Sequence, residues 1–522
     1  MNVDSGFSKP LFLAAIALLI AGSVVADIYP VLNGHWFIGH ADQANLAMLA
    51  RNIAEGRGAV VDAVWLLTDG GMPGNNATHP EDYWSIYAGG IIAAFFKLFG
   101  ATRLALLLPA ALFKAAVALL AGYWAGILTR QNPLAIFAAV ATVALWPTML
   151  RVVQGLSDVY LTFFMFTFIT LFSFAIARNR VVLFVLSGLA LGLSIGIKPS
   201  GGLLLGVVAV FAVLARGVVL KPLNLAGLTV GCILALTPLA VHNVQSFGEL
   251  SIIRPPAWTV VSKGMALSRA TGEHNRAFFD PEPLDRSRSV DVLGSALETS
   301  KVRIKGLAQW AWAVLRGEFT PLFMLIFVPL YYFRSLAGIR DLACTKTVEA
   351  VFRTSILLLV AGGAVLACVV HYEVRYWNFL FPLLVVLSVA SMATISPRYL
   401  LTLLTALALL NGGYYYYNLK SRVIPPAYDT LARVVGRDKV ILTPDPWETT
   451  FHTRIRSVAL PYTNKPQVVL DIANRYGADF LVIEGRKARH PFYFAMQESG
   501  VLPDFLDRIY FSDDLLVARI RR

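Results

Sequence analysis

Between Leu104 and Val241 the chain passes through six apolar runs separated by only a few residues: Leu104–Leu128, Pro133–Leu150, Val159–Ala177, Val181–Ile197, Gly201–Ala215 and Leu223–Val241. A run of about 20 residues is what a helix needs to cross a hydrocarbon core. In lipid only a helix or a closed barrel satisfies its own backbone. Further runs at Leu11–Leu32, Phe319–Phe333, Thr354–Val370, Tyr376–Ile395 and Tyr399–Tyr414 bring the expected crossings to about eleven. With 57% hydrophobic and only 15% charged residues over 522 positions, a soluble globule is excluded. The chain reads as a polytopic α-helical membrane protein.

Sidedness follows from the basic residues. Lys9 precedes the first run, which lacks a small-residue cleavage pattern and reads as a retained helix. Tyr83–Phe99 is the pivotal segment, a shorter apolar run carrying Lys97 and broken by Gly89-Gly90. Taken as juxtamembrane or re-entrant, it leaves Arg130, Arg178, Arg180, Arg216, Lys221, Arg334, Arg340, Lys346, Arg353 and Arg398 on the cytoplasmic side with Lys9. Taken as a full crossing, it turns that group outward. Lys97, Arg103 and Lys114 fit the first choice least well. The formal charge of +13 therefore belongs to a membrane surface and not to a nucleic-acid interface. Cys232, Cys344 and Cys368 have no paired spacing, so neither a disulfide framework nor a zinc site is expected.

On this topology the polar residues left outside are Asp42, His79, Ser157-Asp158, Lys198 and Arg375, with the long loop 243–318 on the same face. Asp42 heads a short helix in which Leu46, Leu49 and Ile53 form one stripe, with Gln43, Arg51, Asn52 and Glu55 off it. Such a helix is expected to lie on the bilayer surface. The helix dipole at its start favours an ionised Asp42, whether as a base or simply as a cap. Thr78-His79-Pro80-Glu81-Asp82-Tyr83-Trp84 places a His and two carboxylates before two interfacial aromatics, where a headgroup is met, although His79 also reads as an ordinary loop histidine. Ser157 or Asp158 suits the N-cap of the following helix. Lys198, in Ile195-Gly-Ile-Lys-Pro-Ser-Gly-Gly202, pairs a cation with free helix-terminal donors, and Arg375 offers a bidentate fork, both suited to phosphate. A snorkelling or helix-terminal role is the bland alternative for each residue alone.

The order Asp42-Gln…Met48-Leu-Ala-Arg-Asn-Ile-Ala-Glu-Gly-Arg-Gly58, His79-Pro80 with Tyr83-Trp84, Leu156-Ser-Asp158, Gly192…Lys198-Pro-Ser-Gly201 and Arg375-Tyr…Phe381-Pro382 resembles the GT-C membrane glycosyltransferases. The branch it most resembles is the protein-mannosyltransferase-like one that includes the lipid A aminoarabinose transferases. The resemblance spans roughly residues 10–395. It implies transfer of a sugar from a polyprenyl-phosphate carrier on the outer face of a bacterial cytoplasmic membrane, to a hydroxyl of a cell-envelope glycan, lipid or protein. Asp42 would then be the general base and Asp158 the second acid, orienting the acceptor or a bound group. Lys198 and Arg375 would hold the lipid phosphate, with His79 and Tyr83 near the donor. Many relatives carry a second acid where Gln43 stands, and some carry Lys before Pro where His79 stands. No metal ligand or firm cofactor is therefore assigned, and a divalent cation stays open. A single in-line displacement would invert the anomeric centre.

The loop 243–318 is expected to cover this site and help choose the acceptor. After Pro425-Pro426 the composition shifts, and 424–522 alternates helix and strand as a small α/β domain, set against a transmembrane domain over residues 1–423 with outer loops 33–102 and 243–318. An odd number of crossings from a cytoplasmic N-terminus puts the α/β domain in the periplasm. It carries no phosphate loop, nucleophile elbow or metal spacing and reads as an acceptor-binding or docking module, with a purely stabilising role the alternative. A flippase or an outer-face ligase of lipid-linked glycans is the competing reading. The first is disfavoured because matched halves are not found. The second is disfavoured by the helix after Asp42 and by the soluble tail.

Overall fold

The computed structural model describes residues 38, 41–66, 77–81, 85–145, 157–214, 221–252, 347–369, 379–391, 427–484, 490–499, 501–512 and 515–522, with isolated positions between 14 and 29 and at 399 and 402. The crossing at Phe319–Phe333, about half of Leu11–Leu32, nearly all of Tyr399–Tyr414, most of the 243–318 loop, Tyr83 and Arg375 lie outside the described residues. The chain divides into two units. One holds Met1–Trp36, Thr102–Ile252 and Glu298–Arg422, and the other holds Phe37–Ala101, Ile253–Leu297 and Val423–Arg522.

The second unit begins with α1 (Ala41–Ala54), the short strands β1 (Val60–Val61), β2 (Ala63–Val64) and β3 (His79–Pro80), and α2 (Ile86–Phe99). Ser85 caps α2, its Oγ accepting from the Ala88 amide at 3.1 Å. At 14 residues α2 is about 21 Å long. A hydrocarbon core is about 30 Å thick, so α2 alone does not cross one.

The structure corrects the reading of α1 as a bilayer-surface helix, because every residue from Gln43 to Asn52 is buried. The polar stripe is present, but its partners are protein groups. Asn45 Nδ2 donates to Glu81 Oε2 at 2.8 Å. Asn52 Nδ2 donates to the Val60 carbonyl at 2.8 Å and to Asp62 Oδ2 at 3.2 Å. Arg51 Nη1 donates to the Phe451 carbonyl at 3.2 Å. Leu49 meanwhile packs on Gly89 of α2.

The first unit contains α3 (Arg103–Thr129), α4 (Asn132–Leu145), α5 (Asp158–Arg178), α6 (Val181–Ile197), a 3-10 turn (Pro199–Gly202), α7 (Leu203–Leu214), α8 (Pro222–Phe247), α9 (Val348–Val369) and α10 (Leu380–Ser391). Among the described residues, α3, α5 and α8 are long and apolar enough to cross a membrane. Thr102 caps α3 through its Oγ1. Arg130 and Asn179 close α3 and α5 with left-handed backbone (φ 56° and 50°), which lets α6 follow α5 after Asn179-Arg180.

Among the described residues the tightest helix crossing is between α6 and α8. A Cβ added at Gly188 would stand 2.0 Å from the Leu228 carbonyl oxygen, and one at Gly231 would stand 2.1 Å from that of Val185. Gly188 with Gly192 and Gly227 with Gly231 thus form facing small-xxx-small pairs. The other side of α8 leaves Leu223, Val230, Ile233, Leu234 and Val241 exposed, a surface suited to lipid chains. Inside the unit, Trp124 stacks on Phe352 at 3.5 Å and donates its indole N–H to Thr170 Oγ1. Lys114, awkward for the sidedness argument, is fully buried and bridges Asp27 at 2.8 Å.

The second unit resumes with α11 (Ala427–Val435), β4 (Val440–Thr443), α12 (Pro446–Thr453), β5 (Arg456–Ala459), α13 (Pro466–Tyr476), β6 (Phe480–Glu484), α14 (Pro491–Ser499), β7 (Leu506–Ser512) and β8 (Leu515–Ile520). Its sheet has the order β2-β5-β4-β6-β8-β7. The pairs β2–β5, β5–β4 and β4–β6 are parallel, with α12 and α13 supplying the crossovers that parallel neighbours require. The β6–β8 and β7–β8 pairs are antiparallel. One edge therefore comes from the segment after α1, with Ala63 opposite Ser457 and Val64 opposite Val458. Val64, Leu66 and Ala77 share a core with Val440, Val458, Ile472 and Leu481.

Candidate active site

Two groups of polar residues stand out, one in each unit. In the first unit, α5 starts at Asp158 and α6 ends at Ile197, so the two helix ends present Asp158 and Lys198 together. Lys198 Nζ donates to Asp158 Oδ1 at 2.6 Å, with the two side chains 23% and 8% exposed. Ser157 holds the N-cap position without a side-chain capping bond.

The local fold behind Lys198 is specific. The Lys198 amide still bonds the Ser194 carbonyl at 3.1 Å, and the Gly201 amide turns back onto the Lys198 carbonyl at 2.8 Å. A Cβ at Gly201 would lie 2.4 Å from the Ser194 carbonyl carbon, so only glycine lets this turn fold against the end of α6. The Lys-Pro-Ser-Gly sequence is thus a mount for one ammonium group. Asp158, being mostly buried, is the anion that keeps that ammonium oriented.

In the second unit, Asp42 sits half-buried in the first turn of α1. Nearby along the chain is a network that the sequence did not signal. Arg57 reaches both oxygens of Asp62 at 2.8 Å, and Thr78 Oγ1 donates to Asp62 Oδ1 at 2.6 Å. Burial pushes the Asp62 carboxyl up, but the hydrogen bonds from Arg57 and Thr78 outweigh it and hold the group below the usual aspartate value. Arg57 and Asp62 are five residues apart, and the left-handed Gly58 (φ 85°) lies between them.

His79 is 5% exposed, and both its ring nitrogens face backbone carbonyls, Nδ1 that of Pro80 at 2.9 Å and Nε2 that of Ala63 at 3.2 Å. It ties β3 to the segment holding β2. The structure therefore brings Asp158 and Lys198 together, sets Asp42 and His79 in the other unit, and leaves Tyr83 and Arg375 outside the described residues. Among the described residues no group of three or more His, Cys, Asp or Glu side chains is arranged to hold a metal ion.

His490, at the foot of the tail's α14, gives a pH prediction. Its Nδ1 accepts from the Phe492 amide at 3.3 Å, and its Nε2 faces the Leu460 carbonyl at 3.4 Å, which fixes a neutral ring protonated on Nε2. Burial pulls its pKa from 6.5 down to about 4. Between those two values the unfolded chain binds the extra proton, so stability falls as pH falls. Thermal unfolding should show a loss of about 2 kcal/mol between pH 7 and pH 5 from this group. His490→Asn, which keeps an acceptor for the Phe492 amide, should remove that slope; an unchanged slope would show that another group titrates.

No protein-family model matches the chain. No curated protein matches it either. Solved structures do. The oligosaccharyltransferase AglB of Archaeoglobus fulgidus, in complex with an inhibitory peptide and a dolichol-phosphate, aligns over 94% of this chain and 71% of its own at TM-score 0.57 and 12% identity. The same archaeal enzyme in complex with zinc and sulfate aligns over 92% and 69% at TM-score 0.56 and 12% identity. ArnT of Cupriavidus metallidurans bound to undecaprenyl phosphate aligns over 97% of both chains at TM-score 0.44 and 12% identity. On these AglB alignments, which extend over nearly the whole chain, the protein shares the fold of the archaeal oligosaccharyltransferase.

Proposed function

We propose that the protein is an inverting glycosyltransferase that moves a sugar from a polyprenyl-phosphate carrier to a hydroxyl of a cell-envelope acceptor. The observation that carries the reading is the Lys198–Asp158 pair at the meeting of two helix ends, within a fold shared with an enzyme solved in complex with a dolichol-phosphate. In this reading the acceptor oxygen attacks the anomeric carbon as the carbon–oxygen bond to phosphate breaks. Asp42 takes the acceptor proton, and the polyprenyl phosphate leaves as an anion neutralised by Lys198 and Arg375. Asp158 positions Lys198. Tyr83 is assigned to donor binding, and His79, enclosed by backbone carbonyls, acts by shaping the Asp42 segment.

The proposed topology has about eleven crossings, a cytoplasmic N-terminus, and residues 33–102 and 424–522 in the periplasm. Supporting it, Phe37–Ala101 and Val423–Arg522, the segments this topology leaves outside, belong to one structural unit. The domain boundary near 423 falls where the tail elements of that unit begin.

Reconstitution of the full chain with polyprenyl-phosphate sugars and candidate acceptors tests the scheme. Asp42→Asn should lower turnover by about 10²–10⁴-fold with donor binding retained. Lys198→Ala and Asp158→Asn should mainly raise the KM for donor. Full turnover by Asp42→Asn would remove the base assignment, and retention of configuration in the product, read by NMR, would remove the single displacement.

A further inference from the structure

Four polar residues of α1 are buried as deeply as its apolar ones: Gln43, Asn45, Arg51 and Asn52. Three of them have partners within the unit, as described above. Gln43 is the exception. It is 0% exposed, and neither its Nε2 nor its Oε1 has a hydrogen-bond partner.

A buried amide with both ends unmatched is costly, and such a group in a folded protein calls for an explanation, a binding role being one. Gln43 is next to Asp42 in the first turn of α1. Its chemistry narrows what that something is. The amide offers donors on nitrogen and acceptor lone pairs on oxygen, and no charge. A phosphate or carboxylate would satisfy the nitrogen alone. A cation would satisfy the oxygen alone. A hydroxyl donates and accepts, and so meets both.

We infer that Gln43 is a hydroxyl-binding residue, holding an alcohol group of a neutral sugar at the start of the helix that also carries Asp42. This deepens the transferase reading and rests on it for the identity of the neighbouring base. The alcohol belongs either to the acceptor or to the transferred sugar, and kinetics separate the two.

The experiment uses full-length protein in nanodiscs and compares wild type, Gln43→Leu and Gln43→Glu. Leucine fills similar space without the unmatched amide. It should raise the melting temperature of the ligand-free protein while raising one KM about tenfold. A rise in the acceptor KM assigns the hydroxyl to the acceptor, and a rise in the donor KM assigns it to the transferred sugar. Binding of methyl glycosides, which lack phosphate, should weaken in Gln43→Leu while binding of undecaprenyl phosphate stays unchanged. Gln43→Glu, which loses the donor, should fall between the two in affinity for methyl glycosides.

A higher melting temperature with unchanged KM values and unchanged glycoside binding would overturn the inference. So would a lower melting temperature, which would show the amide already satisfied within the resting protein, and so would a wild type that binds no methyl glycoside. Failure of the base assignment has a different signature, full turnover by Asp42→Asn, and leaves the glycoside-binding comparison standing.

Discussion

Val458→Asp should unfold residues 41–66 as well as the tail in which it lies. Val458 is fully buried on β5 and pairs with Val64 of β2, within the core that also takes Leu66 and Ala77. Among the described residues a carboxylate there meets an apolar core, and the cost of an unpaired buried charge, several kcal/mol, is comparable with the whole stability of an ordinary domain. The link between tail and first segment does not rest on two paired residues alone. The Ser457 amide donates to the Asp62 carbonyl at 3.1 Å, and Trp65 meets Trp447 edge to face with ring centres 6.3 Å apart. Arg51 holds the Phe451 carbonyl, its guanidinium drawn down to about 10 by burial and by Arg454 and still charged at neutral pH. Limited proteolysis of the full chain is the measurement. The expected result is new cleavage around Gly56–Leu66 together with loss of any Asp42-dependent turnover. Cleavage confined to 427–522 would show that the first segment stands without its neighbour.

Gly188→Val is the second large effect. With 2.0 Å between an added Cβ and the Leu228 carbonyl oxygen, α6 and α8 have to separate along their whole crossing, since a Cβ at Gly192 would itself stand only 2.6 Å from the Cys232 carbonyl oxygen. Overpacking costs about 1–3 kcal/mol where neighbours are flexible. Here the obstacle is backbone, so the loss should reach the upper end or exceed it. Close-approach contacts between the helices, worth about 0.5–1 kcal/mol each, go with it. Because Lys198 caps α6, a shift of that helix also moves the ammonium away from Asp158. The melting temperature in detergent and the KM for donor should both worsen. Gly206→Ala in α7, where an added Cβ has nothing within 4 Å, is the control and should be neutral or mildly stabilising. Equal effects at the two positions would refute the packing argument.

How much of this was legible depends on whether the signal was local. Val181–Ile197 has the same bounds as sequence run and as helix, since Arg180 and Lys198-Pro199 flank an unbroken apolar stretch. Pro466–Tyr476, with proline at its start and Gly477 at its end, is equally explicit. The apolar run read as ending at Val241 continues as helix to Phe247, because His242 and Asn243 end hydrophobicity without ending backbone hydrogen bonding. Asp158 and Lys198 were legible as candidates but not as partners, since their pairing depends on the start of α5 meeting the end of α6, which brings Lys198 Nζ within 2.6 Å of Asp158 Oδ1. The enclosure of α1 was not legible. Amphipathic spacing reports that a helix has a polar side, and Asn45, Arg51 and Asn52 meet protein on that side where lipid headgroups were expected. Nor was β2, because two residues carry no periodicity, or α12, a short polar helix opened by Pro446.

Strand β2 has a consequence for how the chain is made. Arg51 and Phe451, which touch in the finished molecule, are 400 positions apart. At about 5–20 residues per second, the ribosome needs roughly 20–80 s to deliver the second after the first. Throughout that interval the early segment exists without the edge it will join, so a nascent chain carries Asp42 on an unfinished scaffold. Completion of the unit that carries Asp42 waits on the synthesis of Val423–Arg522.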